Sequence, residues 1–300
     1  MLAVTILGNN SAIPAHGRHP TAQVITTADD LLLFDCGEGT QIQIINYKIR
    51  RNRINHIFIS HLHGDHYFGL IGLINSFALL GRLQPLHVYA PAPLKNIIDL
   101  QLAAADTKLP FEFTFHALEQ DGIVLETKYY TVECFSTQHR IECRGFLVRE
   151  KRNARKVIAH KAFEYGIPTS YFHHLQKGED YRKEDGTIIQ NNEVTGENTL
   201  SRSYAFTADT IYDERIAEIV KQVNLLYHET TYPHAFEDKA KERFHSTTKQ
   251  AAAIALNAQV DRLLIGHFSA KFEELDSFEE EAREIFKNTD LAGEGVTYLV

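Results

Sequence analysis

The sequence predicts an α/β sandwich, and three observations support that class. Short apolar runs of strand length recur between turn residues, as in Ala3–Leu7, Ala22–Thr26 and Leu31–Asp35. Stretches with apolar residues at helical spacing alternate with them, as in Gly39–Lys48, where Ile42 and Ile45 are followed by Ile49. The 300 residues, 44% hydrophobic and 23% charged, suffice for a sizeable core and exclude disordered, collagen-like and coiled-coil chains. Alternation of the two element types points away from an all-β or all-α domain.

Taken in order, the three opening strands are separated by Gly8-Asn9-Asn10 and Ala28-Asp29-Asp30, and the Gly39–Lys48 helix follows. His56–Ser60 is a short buried strand leading straight into His61-Leu62-His63-Gly64-Asp65-His66. Tyr67–Leu80 reads as an apolar helix and Leu86–Ala90 as another strand. The middle differs in kind. Arg149–Lys161 holds six basic residues against one acidic, a local net charge of +5. Tyr171–Glu197 is polar with little apolar periodicity, so about 150–198 reads as an insertion, partly mobile and protruding from the core. Strands resume at Tyr204–Thr207, Leu225–His228 and Arg262–Gly266, with helices over Glu214–Val223, Thr247–Asn257 and Phe278–Phe286. The chain otherwise reads as one domain without short-period repeats.

Composition narrows the function. The net charge is −8, which argues mildly against nucleic acid unless local charge overrides it. Tyr67–Leu80, the longest apolar run, is interrupted by Asn75 and too short to span a bilayer. The first residues carry no basic stretch and read as strand and turn rather than a signal peptide. Cys36, Cys134 and Cys143 form no CxxC pair and are odd in number, which favours a reducing cytoplasm over a disulfide framework. Sixteen histidines are present, and three fall inside six residues.

His61, His63, Asp65 and His66 place imidazole and carboxylate ligands on a tight loop after a strand, a set that suits Zn²⁺ or similar ions. Alternate residues of a loop can face two sides, so four ligands can serve two metals. A dinuclear site needs more, and candidates stand where strands end: His139 after Glu133–Thr137, Asp209 after Tyr204–Thr207, and His267 after Leu263–Gly266. Singly, His139 or His267 reads more often as a structural histidine, and Asp209 equally as the N-cap of the next helix. The set is stronger than any member.

These residues carry a resemblance. The loop HLHGDH, Asp209 in FTADT and His267 in IGHFSA are similar to the metallo-β-lactamase superfamily. More narrowly, the chain resembles the ribonuclease Z family, which matures the 3′ end of transfer RNA. The narrower match rests on Asp35-Cys36-Gly37-Glu38-Gly39-Thr40-Gln41, Ser60, Phe206–Thr210, His228-Glu229-Thr230-Thr231-Tyr232, His245-Ser246-Thr247 and Gly266-His267-Phe268-Ser269. The resemblance implies two mixed sheets flanked by helices, an αββα sandwich with the metals at one edge. It implies two Zn²⁺ per chain, one held by His61, His63, His139 and Asp209, the other by Asp65, His66, Asp209 and His267. Asp209 would bridge them, and Asp65 would orient or deprotonate the attacking water. His245, oriented by Glu229, would protonate the leaving oxygen, or His245 would simply open the following helix with Ser246 as cap. The expected products are a 3′-hydroxyl on the tRNA and a 5′-phosphate on the trailer.

The basic run (Arg149, Lys151, Arg152, Arg155, Lys156 and Lys161) stands where the family carries its substrate-binding arm, and Lys161-Ala162, Gly166-Ile167-Pro168 and Leu175-Gln176-Lys177-Gly178 resemble that arm's sequence. Such charge suits gripping precursor tRNA by backbone and shape. Ser269, beside His267, reads as a phosphate contact or as a turn residue. A homodimer is expected from the resemblance alone. The chain departs from the family at Thr169-Ser170-Tyr171-Phe172, at His16 and His19 in the first loop, and at Lys271-Phe272, where Arg and Tyr are common. Two other classes stay open: a hydrolase of small or cyclic phosphodiesters, and a catalytically silent RNA-binding module.

Overall fold

The computed structural model describes residues 2–151, 155–196 and 201–300. The chain divides into two compact units, Met1–Arg149 with Arg202–Val300, and Glu150–Ser201.

The larger unit holds two seven-stranded mixed sheets. The first contains β1 (Ala3–Gly8), β2 (Ala22–Thr26), β3 (Leu31–Phe34), β4 (Ile54–Phe58), β5 (Leu86–Ala90) and β6 (Phe113–Ala117). The second contains β7 (Gly122–Glu126), β8 (Tyr130–Thr137), β9 (Cys143–Glu150), β10 (Ser203–Phe206), β11 (Leu225–Glu229), β12 (Arg262–Gly266) and β13 (Thr289–Leu291). A last strand, β14 (Thr297–Leu299), returns to the first sheet beside β1. The sheet orders are β14-β1-β2-β3-β4-β5-β6 and β13-β12-β11-β10-β9-β8-β7. In each sheet one flank is antiparallel and the other parallel: Phe34 pairs Phe58 across β3 and β4, and Phe206 pairs Tyr227 across β10 and β11.

Side-chain alternation sorts the strands into three apolar layers. Leu32, Phe34, Phe58, Phe146, Tyr204, Phe206 and Leu264 meet between the sheets, with the Phe34 and Phe146 rings 5.1 Å apart. Their neighbours Leu33, Ile57 and Val88 face outward onto helices carrying Ile44, Leu73, Phe77 and Leu94. Leu226, Leu263 and Ile265 do the same against Ile216, Ala255 and Phe278. Helices cover both outer faces, so these strands are apolar on both sides and read as continuous runs. This is the αββα arrangement that the resemblance implied.

Three local features depart from expectation. The helix expected over Tyr67–Leu80 is two, Gly64–Tyr67 and Leu70–Leu79. The break falls at Gly69, whose N–H donates to Cys36 O at 2.9 Å and where a Cβ would sit 2.2 Å from Gly37 O, so only glycine fits. The cap of Thr248–Ala258 is Thr247, in a reciprocal box with Gln250, and not Ser246. Ser246 instead donates its hydroxyl to Thr210 O at 2.8 Å. Asp209 is not an N-cap either: the next helix, Arg215–Ile219, begins at Glu214.

The smaller unit contains short helices over Ala159–Glu164, Phe172–Gln176 and Asn191–Val194. Ala162, Ile167, Leu175, Ile189 and Val194 are buried together there, a small core that the sparse apolar pattern of this stretch does not advertise. Asn191 Nδ2 ties it internally, donating to Leu175 O and Glu179 O at 2.8 and 2.9 Å.

Candidate metal centre

Parallel strands of both sheets point their carboxyl ends at one edge, and that edge collects the polar residues. β4 is followed by Ser60 and His61, β8 by His139, β10 by Asp209, and β12 by His267. The backbone turns sharply there: Asp35, Ala208 and His267 have φ of 56, 53 and 61°, a left-handed conformation costing a non-glycine residue about 1 kcal/mol or more. The packed sheets hold these turns in place.

Three overlapping groups of ligand-type atoms result: His61, His63, His139 and Asp209; Asp65, His66 and His267, beside the same Asp209; and Asp209, His245 and His267. In the first, His63 Nδ1 stands 3.0 Å from both His61 Nε2 and His139 Nε2. Asp209 Oδ2 lies 3.6 and 3.8 Å from those two Nε2 atoms. In the second, Asp209 Oδ1 lies 3.4 Å from His66 Nε2 and 3.2 Å from His267 Nε2. Asp65 Oδ2 is 3.6 and 3.5 Å from the same two nitrogens and accepts from Ala12 N–H at 2.7 Å.

The far nitrogens of four imidazoles are all engaged. The hydrogen-bond network assigns each Nδ1 as the protonated one: His61 donates to Ser60 Oγ (3.0 Å), His139 to Phe244 O (2.8 Å), His66 to Asp35 Oδ2 (2.7 Å) and His267 to Thr231 Oγ1 (3.0 Å). Every Nε2 lone pair is thereby turned inward. Burial, reinforced by His66, lowers the His61 pKa well below its ordinary value; burial and His139 lower His63 to about 4. His61 and His63 are neutral at physiological pH, the form that binds metals. His66 Nε2, His267 Nε2 and Asp209 Oδ1 are buried without a hydrogen bond. Burial opposes a charged His66, but Asp209, Asp65 and Asp35 outweigh it and raise its pKa well above the ordinary value. Buried nitrogens crowded against carboxylates without a hydrogen bond are a donor set that a cation satisfies. The residues fit metal.

Beside this cluster stands His245. Its Nδ1 donates to Glu229 Oε1 at 2.9 Å. Glu229 also accepts from Thr210 N, Thr231 N and the Thr231 hydroxyl, at 3.1, 3.0 and 2.7 Å. Burial opposes a charged His245, but Glu229 outweighs it and lifts the pKa to about 9. Burial likewise opposes the Glu229 carboxylate, and His245 outweighs it, so that group stays ionised.

The centre opens into a cleft of about 810 Å³. Ser269 lines it, but its backbone N–H also donates to Thr231 O at 3.2 Å, so it serves the turn as well. The basic run is divided between the two units. Arg149, the penultimate residue of β9, pairs with Ser203; Lys151, Arg155, Lys156 and Lys161 belong to the smaller unit, and Arg152 lies outside the described residues. Arg155 Nε donates to Thr195 Oγ1 at 2.7 Å, a contact internal to that unit. Sequence reasoning gave no individual role to Asp35, Ser60 or Thr231, which orient the imidazoles. It also passed over Arg140, Lys239 and Arg243 on the cleft. Isolated charges in polar segments carry no pattern that would single them out.

Fold and centre together define a protein of the metallo-β-lactamase fold whose clustered imidazoles and carboxylates fit a metal site. The same fold is found in the YhfI protein of Bacillus subtilis, 18% identical with a TM-score of 0.70. Human tRNase Z, short form, superposes with a TM-score of 0.73 at 26% identity, covering 99% of each chain. Residues 2–157 match the family model described as Anti-Pycsar protein Apyc1. Ribonuclease Z of Bacteroides fragilis strain YCH46 is 40% identical over 97% of this chain and 96% of its own length. Ribonuclease Z of Bacillus cereus strain B4264 is 38% identical over 95% of each. The chain belongs, over residues 2–157, to the family of that model and, across its length, to the ribonuclease Z family.

Proposed function

We propose the following chemistry for this tRNA 3′-processing endoribonuclease. His61, His63, His139 and Asp209 hold one zinc ion; Asp65, His66, Asp209 and His267 hold a second. The observation that carries this assignment is Asp209, whose two oxygens each face one group of imidazoles. Ions held there supply Lewis acidity at phosphorus and a water of lowered pKa for in-line displacement. Asp65, fixed by Ala12 N–H, orients that water and accepts its proton. His245, kept protonated by Glu229, gives its proton to the departing 3′-oxygen. The products are a tRNA 3′-hydroxyl and a trailer 5′-phosphate.

The smaller unit is the inserted substrate-binding arm, with Lys156 and Lys161, both exposed, holding tRNA phosphates together with Arg149, Lys151 and Arg152; Ser269 contacts phosphate in the cleft. A homodimer is the expected assembly, and it would have exposed apolar residues such as Ile42, Ile45 and Leu79 to cover. Cys36, Cys134 and Cys143 are free and buried, which supports a reducing cytoplasm. Among the described residues no helix is long and apolar enough to cross a membrane. A silent RNA-binding module would have no use for so many converging ligand atoms, and a small-phosphodiester hydrolase no use for the basic run over 149–161.

The test is cleavage of a 3′-extended precursor tRNA by zinc-loaded protein beside a chelated sample. Metal-dependent cutting that leaves a 3′-hydroxyl is expected. Cleavage of small phosphodiesters alone would refute the tRNA assignment.

A further inference from the structure

We infer that Lys239 and Arg243 form a phosphate-binding subsite that holds the RNA strand on the 5′ side of the cleaved bond, fixing the strand's direction through the cleft. The inference rests on the leaving-group role proposed for His245.

Lys239 and Arg243 lie on the helix Glu237–Arg243, four residues apart and therefore on one face, and both line the cleft. Lys239 Nζ sits 5.5 Å over the Tyr232 ring, and the like charge of Lys271 close by lowers its pKa. Among the described residues neither lysine forms an ion pair with a carboxylate. Arg243 has only its neighbour Glu242, 3.9 Å away with both side chains exposed, a contact worth little. Cations gathered on a cleft wall with only the exposed Glu242 carboxylate paired to them among the described residues attract an anion, and a guanidinium beside an ammonium suits phosphate oxygens.

The chemistry supplies the direction. Cleavage that leaves a 3′-hydroxyl breaks the P–O3′ bond: the water oxygen bonds to phosphorus, and O3′ departs with the proton of His245. O3′ belongs to the last nucleotide of the tRNA, so the tRNA strand leaves phosphorus on the His245 side. His245 stands between the metal ligands and the cationic wall. Its ring centroid is 5.5 Å from that of His267 and 6.3 Å from that of Tyr232, with Lys239 next beyond. A strand running from O3′ past His245 and Tyr232 reaches Lys239 and Arg243 with its upstream phosphates. The trailer lies on the other side of phosphorus.

The test is binding by the Lys239→Gln/Arg243→Gln double variant, which keeps most of each stem and is checked for an unchanged melting temperature. Affinity is measured against mature tRNA without a trailer and against the same tRNA with a trailer. Both affinities should fall by the same factor, roughly tenfold or more, with a salt-dependence slope lower by about one per cation removed. A loss confined to trailer-bearing RNA would place the cations on the trailer side and overturn the inference, as would unchanged affinity for both. Wild-type protein that bound neither RNA would overturn the tRNA assignment itself, and the strand direction with it.

Discussion

At the carboxyl edge of the sheets, position is everything: four imidazoles have one nitrogen committed to a named oxygen and the other turned inward on Asp209 or His63. In the 150–201 unit, by contrast, Lys156 and Lys161 stand exposed on short elements over a core of five small-to-medium apolar residues. A group that works by coordination or proton transfer fails when displaced by an ångström. A group that works by long-range charge tolerates displacement and is screened by salt. Substitutions in the two regions should therefore differ in size and in kind.

The largest effect belongs to Asp209→Ala. It removes the oxygens that face both groups, so cleavage should fall by roughly 10⁴-fold or more. Bound metal, read by elemental mass spectrometry, should fall with it; full retention of both ions would refute the bridging role. His245→Ala should follow, losing about 10²–10⁴-fold on precursor tRNA with metal content retained. The loss should be smaller on an aryl phosphodiester, whose phenolate leaves without a proton. The pH profile sharpens this. His245, raised to about 9 by Glu229, carries its proton below that pH and loses it as pH rises through it. Glu229→Gln removes the cause, so the alkaline fall in tRNA cleavage should move down toward the imidazole value of about 6.5.

Asp35→Asn should act less strongly. It weakens the hold on His66 without removing a ligand, so metal affinity by chelator competition should drop about 10–100-fold. The smallest effect is expected in the basic run: Lys156→Gln with Lys161→Gln should raise KM for precursor tRNA a few-fold and flatten its salt dependence. A fall in kcat instead would mean that this region acts by position after all.

Much of the centre was legible in the sequence for a local reason. His61, His63, Asp65 and His66 announce themselves by density, and His139, Asp209 and His267 by each following an apolar run that ends a strand. Their partners were not. Thr231 links His267 to Glu229 only because β11 and β12 lie side by side, a long-range fact. The same holds for the break at Gly69, imposed by Cys36 and Gly37 on a segment whose apolar pattern continues on both sides of it. Lys239 and Arg243 sit among Glu237, Asp238 and Glu242, so the sequence shows an ordinary solvated helix and only the fold shows which charges line the cleft. The small core of the 150–201 unit escaped notice because Ala162, Ile167, Leu175, Ile189 and Val194 follow no period.

The most direct measurement removes one region and leaves the other. Arg149 and Ser203 face each other across an antiparallel pair, so an Asn-Gly turn in place of 151–201 can close the hairpin without disturbing the sheet. On this protein, kcat/KM would be measured for precursor tRNA and for an aryl phosphodiester side by side. The account predicts a loss of at least about 100-fold on tRNA with the diester within a few-fold of wild type. An equal fall on both substrates, with folding intact, would contradict the division between a centre that performs the chemistry and a unit that grips the RNA.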